Sequence, residues 1–317
     1  MTSTKDPTAL SQDVIQAFDN LNGSHPGFRP AHAKGILLAG VFAPSSEASS
    51  LTRAPHMQAA STKVTVRFSD FAGVPTIPDN SPDASPRGIA IRFHLAEHVH
   101  TDIVAHSVDG FPARTAEEFV EFLRAAHSSG PGVPKPTPIE IFLGTHPAAL
   151  EFVQAPKPFP SSFARESFFA VNAYKFTNES GVSSFVRYRI RPSAGAEYLT
   201  TEAAAAKSPD YLFDEIKERI AKGSIKFRIL VQIAAPGDVV DDSTIHWPED
   251  RQQIELGTIE LTSVVPSNEE EQRHIIFDPI PRVNGIDPSG DPLLEPRADV
   301  YLMAGRRRRA GASTASV

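Results

Sequence analysis

Tyr301 stands four residues after Arg297 in EPRADVYLMAGRRRR. On a helix that spacing brings both side chains to one face and into contact. A guanidinium beside a phenol favours the phenolate, and phenolate oxygen is a hard anionic ligand for ferric iron. In HPGFRPAHAKG, His32 follows Arg29 by three residues and lies between two alanines. An imidazole can take a proton from a bound oxygen and return it to a leaving one. In KVTVRFSDF, two-residue alternation sets Val64, Val66 and Phe68 on one face and Thr65, Arg67 and Ser69 on the other. Arg67 then points to solvent unless an internal anionic group turns it inward. Taken singly, each feature has an ordinary explanation: a snorkelling Arg beside a packed Tyr, a solvated loop histidine among 11, a polar strand face.

These side chains need a frame to hold them together. Residues Thr8 to Leu21 carry Val14, Ile15, Phe18 and Leu21 at helical spacing before NGSHPG stops the helix. KGILLAGVFA, KVTVRFSDF, RGIAIRFHL and TDIVAHSV read as strands, and AEEFVEFLRAAH after Thr115 as a helix with Phe119, Phe122 and Leu123 on one face. A second block, FFAVNAYKFTN, SSFVRYRIRP, SIKFRILVQIAA and IELGTIELTSVV, is again strand-like. Between its members, SPDYLFDEIKERIAKG is punctuated as a helix, with Ser208 as N-cap, Pro209 at the first helical position and Gly223 at the end. No composition break divides the blocks. One domain over residues 1–309 with a barrel or sandwich core is expected, followed by a small, polar, disordered tail over 310–317.

Composition narrows the chemistry. With 28 Pro, 19 Gly and 20 Phe, the 317 residues suit a β-rich, turn-rich fold with a substantial core. The absence of cysteine excludes disulfides, thiolate zinc sites, iron–sulfur clusters and thiolate-ligated haem. A net charge of −7 gives no reason to expect nucleic acid or an anionic membrane as partner. The four arginines from Arg306 to Arg309 are better read as a solvated helix end complementing the macrodipole than as a phosphate site. The amino terminus has neither a basic leader nor a long apolar run, so a cytoplasmic location is expected, although a mature periplasmic form would read the same way.

FRPAHAKG, VRFSDFAG followed by SPRGIAIRF, SPDYLFDEIKERIAKG and RADVYLMAGRRRR occur in the order and approximate spacing of the catalase core, from about Pro26 to Arg309. The chain resembles the catalase superfamily, and most closely the small catalase-related peroxidases, or mini-catalases, which lack the amino-terminal arm and carboxy-terminal helical domain. The resemblance implies an α+β fold: an antiparallel β-barrel with surrounding helices and a haem b buried in the barrel. It implies that Tyr301 is the metal ligand, kept ionised by Arg297, and that His32 is the distal histidine, oriented by Ser69. It implies that Arg29, Arg67 and Arg308 pair with the haem propionates and that Phe119 stacks on a pyrrole ring. Where catalases carry an asparagine amide over the iron, the matching position in TDIVAHSVDGFPAR is read as Ser107, whose hydroxyl reaches less far.

The implied activity is a haem-dependent peroxidase that reduces hydrogen peroxide or an organic hydroperoxide with a small organic electron donor, with weak catalase activity. A fatty-acid hydroperoxide isomerase or lyase on the same core is one alternative. A non-catalytic haem- or lipid-binding barrel is the other, and a carrier has no need of a distal acid–base group. The oligomeric state, a homodimer included, is left open.

Overall fold

Alternating apolar residues build eight antiparallel strands in the computed structural model, which describes residues 7–314. They are β1 (Gly35–Pro44), β2 (Thr62–Ser69), β3 (Gly88–Ala96), β4 (Val99–His106), β5 (Phe168–Phe169), β6 (Ser183–Pro192), β7 (Ile225–Ile233) and β8 (Gln253–Val264). Their hydrogen-bonded order is β7-β8-β1-β2-β3-β4-β5-β6, and β6 pairs back onto β7, which closes a barrel. Closure leaves no free edge among these strands. The short strands Tyr174–Thr177 and Ile286–Pro288 extend from β6 outside the closed ring. Among the described residues no helix is long and apolar enough to cross a membrane.

The two faces of β1 to β4 do different work. Ile36, Leu38, Val66, Phe68, Ile89 and Ile91 point inward and are buried in the main core cluster. Phe163, Phe168 and Phe227 surround Phe68 with ring centroids 5.4, 6.0 and 5.7 Å away. An eight-stranded barrel has an interior just wide enough for side chains, and here aromatic rings fill it. The barrel interior is thus side-chain core. On the outer face, cross-strand register lines up Gly35, Ser69, Gly88 and His106 in one row, and Leu37, Arg67, Ala90 and Val104 in the next.

Helices cover that outer face. They include α1 (Pro7–Asn22), α2 (Ala116–His127), α3 (Pro147–Gln154), α5 (Asn268–His274) and α6 (Leu294–Thr314), whereas α4 (Tyr211–Lys222) packs its Leu212, Ile216 and Ile220 into the main core cluster. Val14 and Phe18 of α1, Val120 and Leu123 of α2, and Val300 and Ala304 of α6 form a second core. Thr115 caps α2, its hydroxyl accepting the Glu118 N–H at 3.2 Å.

Three boundaries differ from the sequence reading. Helix α4 begins at Tyr211, and its Leu212 N–H donates to Asp79 Oδ2 at 2.7 Å, so a distant carboxylate replaces Ser208 as the cap. The strand expected over residues 168–178 is interrupted between Phe169 and Tyr174, and Asn172 sits in the gap. Helix α6 continues through Thr314, past the expected start of disorder at Ala310. There Gly311 lets it approach the Pro26–Gly27 backbone, which a Cβ would meet at 2.7 Å. Residues 315–317 of the expected tail lie outside the described residues.

Candidate active site

A cavity lies between the outer face of the barrel and the helices, lined by His32, Arg67, Ser69, Gly88, His106, Phe119, Arg297, Tyr301 and Arg308, among others. Phe18, Phe71, Phe111, Phe122, Phe152 and Phe277 add aromatic rings to a wall that is otherwise mostly aliphatic. Phe119 is edge-on to Phe18 at 5.8 Å and tilted against Phe111 at 5.0 Å.

The helix wall carries Tyr301. Arg297 Nη2 donates to its hydroxyl at 3.1 Å, as the four-residue spacing predicts. Arg297 also donates to Asn172, whose amide in turn donates to Asp291 at 2.7 Å. Asp291 then accepts the Leu293 N–H at 2.9 Å, beside the start of α6. Burial opposes the charge on Arg297, but Tyr301 and Tyr174 outweigh it and raise its pKa above the ordinary value. Asn172 and Asp291 escaped the sequence reading because neither is near Arg297 in a shared periodic element. The interruption of the expected 168–178 strand is what brings Asn172 there.

The barrel wall carries His32. Its φ of 56° is left-handed, which is uncommon for a residue with a Cβ. Backbone bonds hold it: His32 N–H donates to Phe71 at 2.7 Å, Ala33 N–H to Ala72 at 3.0 Å, and Arg67 donates to the His32 carbonyl at 2.9 Å. The ring Nδ1 is 3.1 Å from Ser69 Oγ, the contact that orients it. A Cβ on Gly88 would lie 2.8 Å from the His32 ring and 2.6 Å from Ser69 Oγ, so only glycine leaves room for the imidazole. Burial, followed by repulsion from Arg67, His106 and Arg29, pushes the His32 pKa down to about 3. The imidazole is neutral and able to accept a proton.

Arg29, Arg67 and Arg308 gather at one edge. Arg29 and Arg308 both donate to the Ile275 carbonyl, at 3.1 and 2.8 Å, and Arg67 donates to Gln272 at 2.9 Å. Among the described residues none of the three has a carboxylate at ion-pair distance. Burial and mutual repulsion hold Arg29 well below its ordinary pKa and lower Arg67 to about 9; burial and Arg309 lower Arg308 to about 10. Three crowded cations with only neutral partners make a cradle for a buried anion. The run Arg306–Arg309 is thus divided: Arg308 is buried, while Arg307 pairs with Asp19 at 2.6 Å.

Ser107 is not brought into this group. Its hydroxyl accepts the Arg87 N–H at 2.9 Å, and its own N–H donates back to the Arg87 carbonyl at 2.9 Å, so it is spent on extending the pairing at the open end of β3 and β4. The cavity is instead lined by its neighbour His106, the last residue of β4, as strand alternation across Gly88 requires. The sequence signal was present in that alternation: Val104 and His106 share the parity that faces Ala90 and Gly88.

The chain matches the Catalase family over residues 5–317. It is 33% identical to the catalase-related peroxidase of Mycolicibacterium paratuberculosis over 91% of this chain and 91% of that protein. It is 30% identical to the catalase-related peroxidase of Synechococcus elongatus over 96% of this chain and 90% of that one. The fold is shared with a fungal catalase, at a TM-score of 0.79 and 24% identity, covering 90% of this chain and 60% of the catalase. Catalase A from Saccharomyces cerevisiae shares it at 0.78 and 24%, covering 90% and 62%. The match runs through both walls of the cavity, and the chain belongs to the catalase family.

Proposed function

We propose that this chain is a haem peroxidase that reduces hydrogen peroxide or an organic hydroperoxide with electrons from a small organic donor. The observation that carries the reading is one largely apolar cavity with a guanidinium-held phenol on its helix wall and a neutral imidazole on its barrel wall. The residues fit haem b: Tyr301 would ligate iron, Arg29, Arg67 and Arg308 would take the two carboxylates, and Phe119 would lie against the ring. When bound, the haem supplies the redox chemistry that cleaves the O–O bond and accepts the donor's electrons. His32 takes the proton from one peroxide oxygen and delivers it to the other, which leaves as water from hydrogen peroxide or as the alcohol from an organic hydroperoxide. Ser69 fixes the plane in which the imidazole does this. The names of the two peroxidase relatives support the same reading.

The absorption spectrum of the purified protein tests it. A Soret band of a ferric, phenolate-ligated haem is expected, together with donor oxidation on adding hydrogen peroxide. A colourless protein that haem does not reconstitute would overturn the proposal, and isomerisation of a lipid hydroperoxide without donor oxidation would replace it.

Two further outcomes follow from the geometry. With its pKa near 3, His32 loses its base function only as pH falls below about 4, so the peroxide reaction should be flat from about pH 5 to about pH 8. A stopped-flow profile falling with a midpoint near the ordinary 6.5 would mean that the proton acceptor is another, solvated group. Gly88→Ala should slow the same reaction by about tenfold or more while haem content stays at the parent level, because the new methyl displaces His32 and Ser69 rather than the iron ligand. Haem loss without a rate defect would place Gly88 in the fold rather than at the imidazole.

A further inference from the structure

The side chains of Asp70 and Arg87 have no role in the site as described so far. Both are fully buried, neither lines the cavity, and Arg87 Nη1 donates to Asp70 Oδ1. They stand directly behind the imidazole. Ser69 and Gly88 are cross-strand partners, the last residue of β2 against the first of β3, and the His32 ring rests against both. Asp70 is the next residue on one side of that rung and Arg87 the next on the other, so their ion pair ties the two strands together where the backbone ladder stops. Asp70 also belongs to the segment that carries His32: its N–H donates to the Lys34 carbonyl at 3.2 Å, beside the His32 and Ala33 bonds to Phe71 and Ala72. Arg87 is anchored in turn, donating to the carbonyls of Ala84, at 3.1 Å, and of Asp79.

A buried ion pair is a poor device for stability alone. Taking both charges out of water costs about as much as their attraction returns, and apolar residues of similar volume often replace such a pair without loss. This pair is also unsaturated: among the described residues, Asp70 Oδ2 and Arg87 Nε have no hydrogen-bond partner. What a guanidinium and a carboxylate supply, and apolar side chains do not, is a directed contact that fixes distance and angle. We infer that Asp70 is a positioning residue for His32, holding with Arg87 the Ser69–Gly88 rung against which the imidazole is oriented. The effect on rate rests on the proposed peroxidase reading; the effect on the ring does not.

Asp70→Leu combined with Arg87→Met removes both charges and keeps the volume, so the double variant should fold and take up haem. Its reaction with hydrogen peroxide should slow about ten- to a hundredfold, the order of cost of misplacing a reacting group by about an ångström. In a His32→Ala background the same two substitutions should change the residual rate by no more than about twofold, because no imidazole remains to misplace. A second readout needs no haem. In the apoprotein the ring Cε1–H resonance of His32 should shift or broaden, while that of His56, beside Phe93 in the barrel core, should stay. The two are assigned by their loss in His32→Ala and His56→Phe. Asp70→Asn keeps the acceptor oxygen but not the charge, and it should slow the reaction about three- to tenfold; it carries both readouts if the double variant does not fold. A parent-like His32 resonance, equal movement of both resonances, a parent-like rate in the haem-replete variant, or an equal loss in the His32→Ala background overturns the assignment and leaves the peroxidase reading in place. A parent protein that takes up no haem ends that reading, and the His32 resonance then decides the positioning role alone.

Discussion

Tyr301→Phe is expected to abolish stable haem retention. The substitution removes only the oxygen, and the ring still fills its place against Val300 and Ala304, so the fold has no reason to change. What disappears is the anionic ligand and the acceptor of the Arg297 hydrogen bond at 3.1 Å. Arg297 would then be left beside an apolar ring with Asn172 as its remaining partner. Loss of a supporting hydrogen bond to a metal ligand typically costs about 10–100-fold in affinity, and loss of the ligand itself should exceed that. Haem per chain after reconstitution is the measurement, with thermal unfolding of the apoprotein as the control for folding. A full complement of haem with an unchanged spectrum would show that another cavity residue, with His32 and His106 the first candidates, holds the iron.

The reasons why some of this was legible in the sequence and some was not are local. Tyr301 and Arg297 are linked by helical spacing, so their contact follows from chemistry and geometry over four residues. All eight barrel strands overlap segments whose alternation or apolar runs announce them, with ends that differ by one or two residues apart from the interrupted 168–178 segment. The alternation in β2 separated Phe68 from Arg67 correctly, but it does not say which face meets a cavity. Arg67 was expected to turn inward for an anion; the structure buries it on the outer face instead, because helices α1, α2 and α6 roof that side. The Arg297–Asn172–Asp291 chain joins residues 125 apart in sequence, and nothing short-range marks it. Ser107 was a misplacement by one residue, and in a strand one residue exchanges the two faces. The Asp79 carboxylate that caps α4 from 133 residues away shows the same limit: Ser208 and Pro209 make a plausible start signal, and a tertiary contact overrides it.

His32→Ala is expected to retain haem and to lose the peroxide reaction by about a hundred- to ten-thousandfold, the range for one positioned general acid–base group. Haem retention follows because His32 is on the barrel wall and Tyr301 on the helix wall, and because the backbone bonds of residues 32 and 33 to Phe71 and Ala72 do not need the imidazole. The 56° φ favours histidine over alanine somewhat, but the backbone bonds of residues 32 and 33 hold that conformation in either case. Ser69→Ala should be much less severe, since it deletes the 3.1 Å contact that orients the ring but leaves the base in place. The ordering of the two defects separates a proton-transfer role from a packing role, because loosened packing would also show in the resting Soret band. Stopped-flow mixing with hydrogen peroxide measures both rates. Near-parent reactivity of His32→Ala would move the base function elsewhere, and the neighbouring imidazole of His106 would be tested first. Loss of haem in His32→Ala would instead make the imidazole a ligand or a structural group, and the division of labour between the two walls would have to be abandoned.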